Sequence, residues 1–380
     1  MPDNSPRSRV PVVDCHAHVL PYFGSAAGFS SPEEHLLYVQ RAMHTHGSQP
    51  VRRSRDHAVV SAPTLWDPDD PSPSGRYDVG FRVGRDGRFE WTKDGEDYYI
   101  QFMPPTLQTM EAPVDFMIHQ MDYAGIDVAV LQNDHIYGSL NEFFAQAVEK
   151  HPDRFIGLAQ VEEPLAYRDD QVARLRRAVT ELKLGGLYFT TSTFFTVGYR
   201  YYYDDPRFAP FWAEVEALGL PVFWVFPTSS PIGDFGEEMR RFRSWCEAHP
   251  SVDSVLVHGI PDPPFLGGDG SLSLPDWMLS LLREHPVHAE ILYPLRWGGV
   301  WDYPYPQAHD RIRYYYETLG AEKLLWGSDM PNVERYCTYR QTLTYFTEYC
   351  GFVSQSDMAK ILSGNVLRLL GRSVGVEPPR

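Results

Sequence analysis

Val10-Pro11-Val12-Val13-Asp14-Cys15-His16-Ala17-His18 is an apolar run that ends in an acid and two histidines. A short continuous apolar run of this kind reads as a strand buried on both faces. The strand is read over Val10–Asp14, and the pattern returns at Val128–Gln132, Phe155–Gln160, Gly186–Phe189, Pro221–Phe226, Ser254–Val257, Val287–Ile291 and Leu324–Trp326. Amphipathic stretches lie between these runs, at Leu140–Lys150, Gln171–Leu182, Phe208–Leu218, Phe235–Ala248, Pro275–Glu284 and Arg311–Leu319. Strands alternating with helices predict a parallel sheet, and about eight such units close naturally into a (β/α)8 TIM barrel. An open doubly wound sheet is the alternative, but no Gly-x-Gly-x-x-Gly follows a strand. The expected fold is α/β, a single barrel domain over residues 1–380.

The spacing fails once, between the first and second strands. Residues 19–112 read as an insertion of loop plus β-hairpin. Thr64–Gly75 is rich in Pro, Asp and Ser and reads as loop. Phe81–Trp91 reads as a hairpin turning at Asp86-Gly87. Leaving the C-terminal end of the first strand, the insertion is expected over the barrel mouth, as a lid or a subunit contact. The stretch Gly371–Arg380 is read as a tail running over the surface.

Composition excludes several functions. Fifty acidic against 34 basic residues give a formal net charge of −16, which repels nucleic acid and anionic membrane alike. Hydrophobic residues at 43% and charged residues at 22% describe a globular chain rather than a disordered one. No apolar run approaches the roughly 18 residues of a membrane span, and Met1–Pro6 lacks the order of a signal peptide. Cys15, Cys246, Cys337 and Cys350 form no Cys-x-x-Cys pair, so neither a disulfide framework nor a Cys-rich zinc site is expected. A cytoplasmic protein is the expectation.

Three strand ends carry candidate chemistry. Alternation along a strand places His16 and His18 on one face, with Cys15 and Ala17 pointing away. Two imidazoles at the inward mouth end are half of a divalent-metal site; hydrogen-bonded structural histidines are the bland alternative. Leu324-Leu325-Trp326-Gly327-Ser328-Asp329 ends in an acid that would face the first strand across a closed barrel. Asp329 could bind the metal and accept a proton from bound water, or simply cap a helix. Val255-Leu256-Val257-His258 leaves a further histidine at the same end of the barrel.

Together these residues resemble the amidohydrolase superfamily, in the amidohydrolase-related branch that contains aminocarboxymuconate semialdehyde decarboxylase and γ-resorcylate decarboxylase. The similarity runs through Val13–His18, Gln120–Val130, His151–Leu158, Leu220–Pro227, Ser254–Gly259, Gly327–Pro331 and Gly364-Asn365. The resemblance implies one divalent metal held by His16, His18 and Asp329, with zinc the leading expectation and manganese or iron also served. It implies further that His258 and Asp329 are catalytic, His258 as the acid/base. One position departs from the family pattern: Phe226, in Trp224-Val225-Phe226-Pro227, stands where the family has a metal-binding histidine. The turn Gly259-Ile260-Pro261 also replaces a glycine-rich one.

Three functions follow from this set. The leading one is metal-dependent decarboxylation or hydrolysis of a small carboxylate, with three ligands and bound water. The second is an oxygenase, since two His and one carboxylate form a facial triad for iron; the chain is similar in this to the subunits of 2-aminoisobutyrate hydroxylase. The third is a degenerate structural subunit of a hetero-oligomer. Other candidates are Glu290, as the missing ligand or a buried paired acid; His135, reaching the mouth or exposed on a loop; and Arg335 or Arg340, binding a substrate carboxylate or pairing on the helix after strand eight. The aromatic run Phe189–Tyr203 suggests an aromatic pocket wall or an oligomer interface; interface is the preferred reading, with a homo-oligomer or a related partner chain expected. No Gly-x-Ser-x-Gly elbow supports a serine hydrolase.

Overall fold

Pro11 has no N–H to give a ladder, and strand pairing begins two residues later. In the computed structural model, which describes residues 10–46, 49–70, 72–292 and 301–372, the first run forms β1 over Val13–Ala17. It therefore starts three residues beyond the expected position and carries His16 inside the strand. The other runs become β2 (Val128–Leu131), β3 (Phe155–Gly157), β4 (Leu187–Thr190), β5 (Val222–Val225), β6 (Ser254–Leu256), β7 (Val287–Ile291) and β8 (Leu324–Trp326), all buried. The expected tail after Arg372 lies outside the described residues, as does the stretch Met1–Pro6.

These strands pair in parallel as β1·β2·β3 and as β4·β5·β6·β7·β8. Parallel bridges Ala159↔Leu187 and Ala17↔Met330 join the two sets at both ends, so the sheet closes on itself. After the strands come α1 (Val114–Ala124), α2 (Asn141–Lys150), α3 (Asp169–Thr180), α4 (Ala209–Ala217), α5 (Phe235–Ala248), α6 (Asp276–Glu284), α7 (Pro306–Leu319) and α8 (Tyr339–Tyr349). Eight β/α units in a closed parallel sheet are the (β/α)8 barrel.

Strand alternation divides the core in two. Val13, Val130, Tyr188, Phe223, Val255 and Leu325 fill the barrel lumen. Trp224, Phe189, Leu256 and Trp326 face outward into the layer between strands and helices. Trp224 there meets Trp212 of α4 and Trp245 of α5, at centroid separations of 5.4 and 4.7 Å.

The insertion holds more structure than its sequence was expected to give. Its hairpin at Asp86-Gly87 is present, with Val83 opposite Phe89 and both turn residues at positive φ. A longer hairpin, Arg88–Lys93 with Glu96–Gln101, follows and turns at Asp94-Gly95. Arg52–Arg53 completes a four-stranded antiparallel sheet. An unexpected helix, Pro32–His46, buries His35, Val39, Ala42 and Met43 along one face. Among the described residues, no helix is long and apolar enough to cross a membrane.

Candidate metal and active site

The floor of the barrel mouth is shaped by an irregularity in β1. Asp14 pairs with Ala129 and Ala17 with Leu131, so three residue steps on β1 face two on β2. One extra residue is a bulge, which re-aims side chains. It corrects the expectation for Cys15. Cys15 and His16 both turn inward, toward Glu290 of β7: Cys15 Sγ lies 3.6 Å from Glu290 Oε1, and His16 Nδ1 lies 2.8 Å from Oε2. Ala17 turns out to the helix layer, and His18 returns to the mouth.

Hydrogen bonding sets the histidine tautomers. His18 Nδ1 lies 2.8 Å from the carbonyl oxygen of Gln132, which can only accept, so Nδ1 carries the proton. His16 Nδ1 faces the Glu290 carboxylate and donates for the same reason. When its ring is neutral, each imidazole presents its Nε2 lone pair. The two Nε2 atoms are 3.0 Å apart, and Asp329 Oδ1 is 2.8 Å from that of His18 and 3.5 Å from that of His16. Three acceptors at such separations repel one another unless a proton on His16 Nε2 or a metal cation lies among them. With ligand bonds near 2.0–2.1 Å, donor atoms around a divalent metal sit ~3.0–3.4 Å from each other. The donor set fits such a metal.

Glu290 is a supporting acid rather than a substitute ligand. Besides His16, it accepts the backbone N–H of His258 at 2.8 Å and Gln132 Nε2 at 2.8 Å. A carboxylate behind a ligating histidine fixes the ring and raises its basicity. Asp14, which the sequence reading passed over, ties the two key strands together. It accepts from the backbone N–H groups of His16 (3.0 Å) and Ser328 (2.9 Å), from the Ser328 hydroxyl, and from Tyr339 O–H at 2.7 Å.

His258 lies beside this floor, its ring centroid 4.9 Å from that of His16. Donor atoms of His16, His258 and Asp329 all lie within 4.8 Å of one another. Both His258 and Asp329 hold left-handed backbone, at φ 64° and 60°, a costly conformation that clusters at functional sites. Gly259 follows His258 at φ 65°, and a Cβ there would come within 2.3 Å of the Glu290 carbonyl oxygen, so only glycine fits.

Electrostatics follow from burial and close charges. Burial favours neutral His16, but the Glu290 and Asp329 carboxylates outweigh it and raise the ring to about 9. Burial also works against charge on Asp329, yet His16 and His18 hold its carboxyl well below the usual range. Burial pushes Asp14 up to about 6 despite its hydrogen bonds.

A cavity of about 560 Å³ opens above the floor, lined by His16, His18, His258 and Asp329 together with Tyr137, Tyr188, Phe195, Phe226, Asn332 and Arg335. Arg340 is exposed and lies elsewhere. His135 neither reaches the mouth nor sits exposed: it is buried, with Nε2 2.8 Å from Glu163 Oε2. Phe226 stacks on Trp224 (5.6 Å between centroids, 6° between planes) and packs at a tilt against Phe242 of α5. The lumen-facing side chain at that strand end is Val225. The run Phe189–Tyr203 was expected on an exposed connection, but Phe194, Phe195, Tyr202 and Tyr203 are buried within this chain. Tyr199 and Tyr201 of the same run are half-buried.

Asn332 and Tyr137 were missed by sequence reading. Asn332 follows Asp329 by three residues, at the start of the short helix Asn332–Arg335, and donates to Asp329 Oδ1 at 2.9 Å and to the Tyr137 hydroxyl at 2.7 Å.

A family model described as amidohydrolase matches residues 13–372. The γ-resorcylate decarboxylase of Rhodococcus jostii (strain RHA1) is 43% identical over 219 residues, covering 55% of this chain and 54% of that protein. The 2-amino-3-carboxymuconate-6-semialdehyde decarboxylase of Dictyostelium discoideum is 24% identical over 280 residues, 68% of this chain and 70% of that one. The chain spans about half the length of the γ-resorcylate decarboxylases it matches. Among solved structures, a TIM-barrel protein from Bordetella bronchiseptica superposes with a TM-score of 0.54 at 16% identity, over 95% of this chain and 98% of that one. The 5-carboxyvanillate decarboxylase of Sphingomonas paucimobilis superposes at 0.50 with 19% identity, over 70% and 84%. At these identities the likeness is one of fold.

Proposed function

The chain belongs to the amidohydrolase family, and from that premise we propose that it is a metal-dependent enzyme releasing carbon dioxide from a small aromatic acid without oxidation. The observation that carries the proposal is the convergence of His16 Nε2, His18 Nε2 and Asp329 Oδ1 at 2.8–3.5 Å on the floor of a largely apolar cavity. That the similar proteins are decarboxylases supports the choice of reaction. Residues 19–112 are read as part of the same domain, closing over the mouth, since Tyr38, Ala42, Thr45 and Phe102 line the cavity wall.

A divalent metal, with zinc first among those the donor set serves, supplies Lewis-acid polarisation of the substrate's oxygens when bound. The protein's own groups do the rest. Glu290 and the Gln132 carbonyl oxygen accept from Nδ1 of His16 and His18, which leaves Nε2 of each ring as the atom that would face the metal. Decarboxylation breaks the ring-to-carboxyl C–C bond, and its electron pair takes a proton, so the reaction is redox-neutral. An imidazole exchanges protons near neutral pH, and His258 at the cavity wall is assigned that transfer. Asp329, kept ionised beside His16 and His18, would hold the metal with them. The aromatic wall keeps the rest of the site dry, which strengthens each polar contact.

The test is elemental analysis of protein purified without chelator, paired with carbon dioxide release from a panel of small hydroxybenzoic acids. About one metal per chain is expected, mostly lost in His16→Ala, with carbon dioxide formed and no oxygen consumed. Unchanged metal in that variant overturns the site. Substrate-dependent oxygen uptake by the ferrous form replaces the proposed activity with an oxygenase.

A further inference from the structure

One wall of the cavity holds polar capacity that the proposed reaction does not use. Arg335 lines it and spends Nη1 on the carbonyl oxygen of Phe102. Its Nε is buried with no hydrogen-bond partner among the described residues, and it joins no ion pair there. Among the described residues the side-on edge formed by Nε and Nη2 therefore has no hydrogen-bond partner, while the Tyr336 ring lies 5.6 Å from the guanidinium carbon. Beside it, the Tyr137 hydroxyl accepts from Asn332 Nδ2 and keeps its own proton to give. Asn332 is 4% exposed; both its amide hydrogens are spent, and Oδ1 is buried without a partner among the described residues. A partly dehydrated guanidinium with an open edge is poorly stabilised until an anion meets it, and a planar carboxylate matches that edge with two parallel bonds.

We infer that Arg335, Tyr137 and Asn332 form a second substrate subsite that takes a remote carboxylate, making aromatic dicarboxylic acids the preferred substrates. This rests on the decarboxylase reading, in which the reacting carboxyl sits at His16, His18 and Asp329. Asn332 lies between the two ends, hydrogen-bonded to Asp329 and Tyr137. Arg335 and Tyr137 donate to the second carboxylate, and Asn332 Oδ1 accepts from a ring hydroxyl between the two acids. The carbonyl of Phe102 positions Arg335 from the insertion, so substrate selection draws on the segment between β1 and β2.

The experiment uses benzoate and isophthalate, two acids without the activating hydroxyl, titrated calorimetrically into the metal-loaded enzyme. Isophthalate is expected to bind about 10- to 100-fold more tightly, the worth of hydrogen bonds to a charged group. Arg335→Met should erase that preference while leaving benzoate affinity and metal content unchanged. Arg335→Lys keeps the charge without the side-on fork and should lose most of the preference too. Tyr137→Phe should narrow it several-fold. Equal binding of the two acids by the wild-type protein overturns the subsite, and so does equal loss of both acids in Arg335→Met. Carbon dioxide release from a monocarboxylic acid together with equal binding refutes the subsite alone. A retained isophthalate preference with no carbon dioxide from any acid refutes the proposed activity and leaves the subsite standing.

Discussion

Glu290→Gln isolates the supporting shell of the site without changing its shape. The carboxylate takes four donors: His16 Nδ1 and the His258 backbone N–H on Oε2, and Gln132 Nε2 and Cys15 Sγ on Oε1. Glutamine offers one oxygen and one NH2, so one side of the group must set donor against donor. If the oxygen faces His16, the NH2 meets Gln132 and Cys15, and the buried mismatch costs about 1–3 kcal/mol of stability. If the NH2 faces His16, the ring must change tautomer and put its proton on Nε2, where the metal would bind. Either way His16 loses an anionic partner. A supporting carboxylate of this kind is worth roughly 10- to 100-fold in metal affinity, or about 1.4–2.7 kcal/mol. The assay is chelator competition for zinc, with urea unfolding of the metal-free variant as the second measurement. Zinc affinity within two-fold of wild type, with unchanged unfolding, would refute the argument that Glu290 sets the His16 tautomer.

Other outcomes follow from the same geometry. His258→Asn should keep its metal and lose turnover by roughly 10²–10⁴-fold; loss of metal as well would make His258 a ligand. Phe226→His should leave metal stoichiometry unchanged, because the ring, though on the cavity wall, is held flat on Trp224 and against Phe242, and should lower stability by about 1–3 kcal/mol; a gain in metal affinity would contradict that placement. Burial pushes the Glu238 carboxyl up to about 7, above the ordinary 4.5, with Tyr202 its hydrogen-bond partner at 2.8 Å. Between those two pH values the folded state holds the extra proton, so this group's contribution falls as pH rises, by up to about 3 kcal/mol. Glu238→Gln should flatten that slope in urea unfolding followed from pH 4.5 to 8, and an unchanged slope would assign it to other groups.

Much of the fold was legible in the residues themselves. Continuous apolar runs of three to six residues, separated by helical periodicity, read as buried parallel strands, and that pattern located all eight barrel strands within a few residues. The same logic found His16, His18, His258 and Asp329, because residues at the mouth ends of barrel strands must meet wherever the sheet closes. The insertion was less legible. Asp94-Gly95 repeats the turn signal of Asp86-Gly87, and the helix Pro32–His46 carries its own periodicity, yet both lie among loop-forming residues that masked them. Other features were beyond any local reading. A bulge is a mismatch between two strands, so neither β1 nor β2 alone reveals that Cys15 and His16 share a face. Glu290 supports His16 across 274 positions of sequence, and Asp14 reaches Ser328 across 314. The open edge of Arg335 depends on a carbonyl supplied by the insertion. Strand identity is set by burial and periodicity, which are properties of a short segment. Which donor meets which acceptor is set by barrel closure and register, and those exist only once the whole chain has folded.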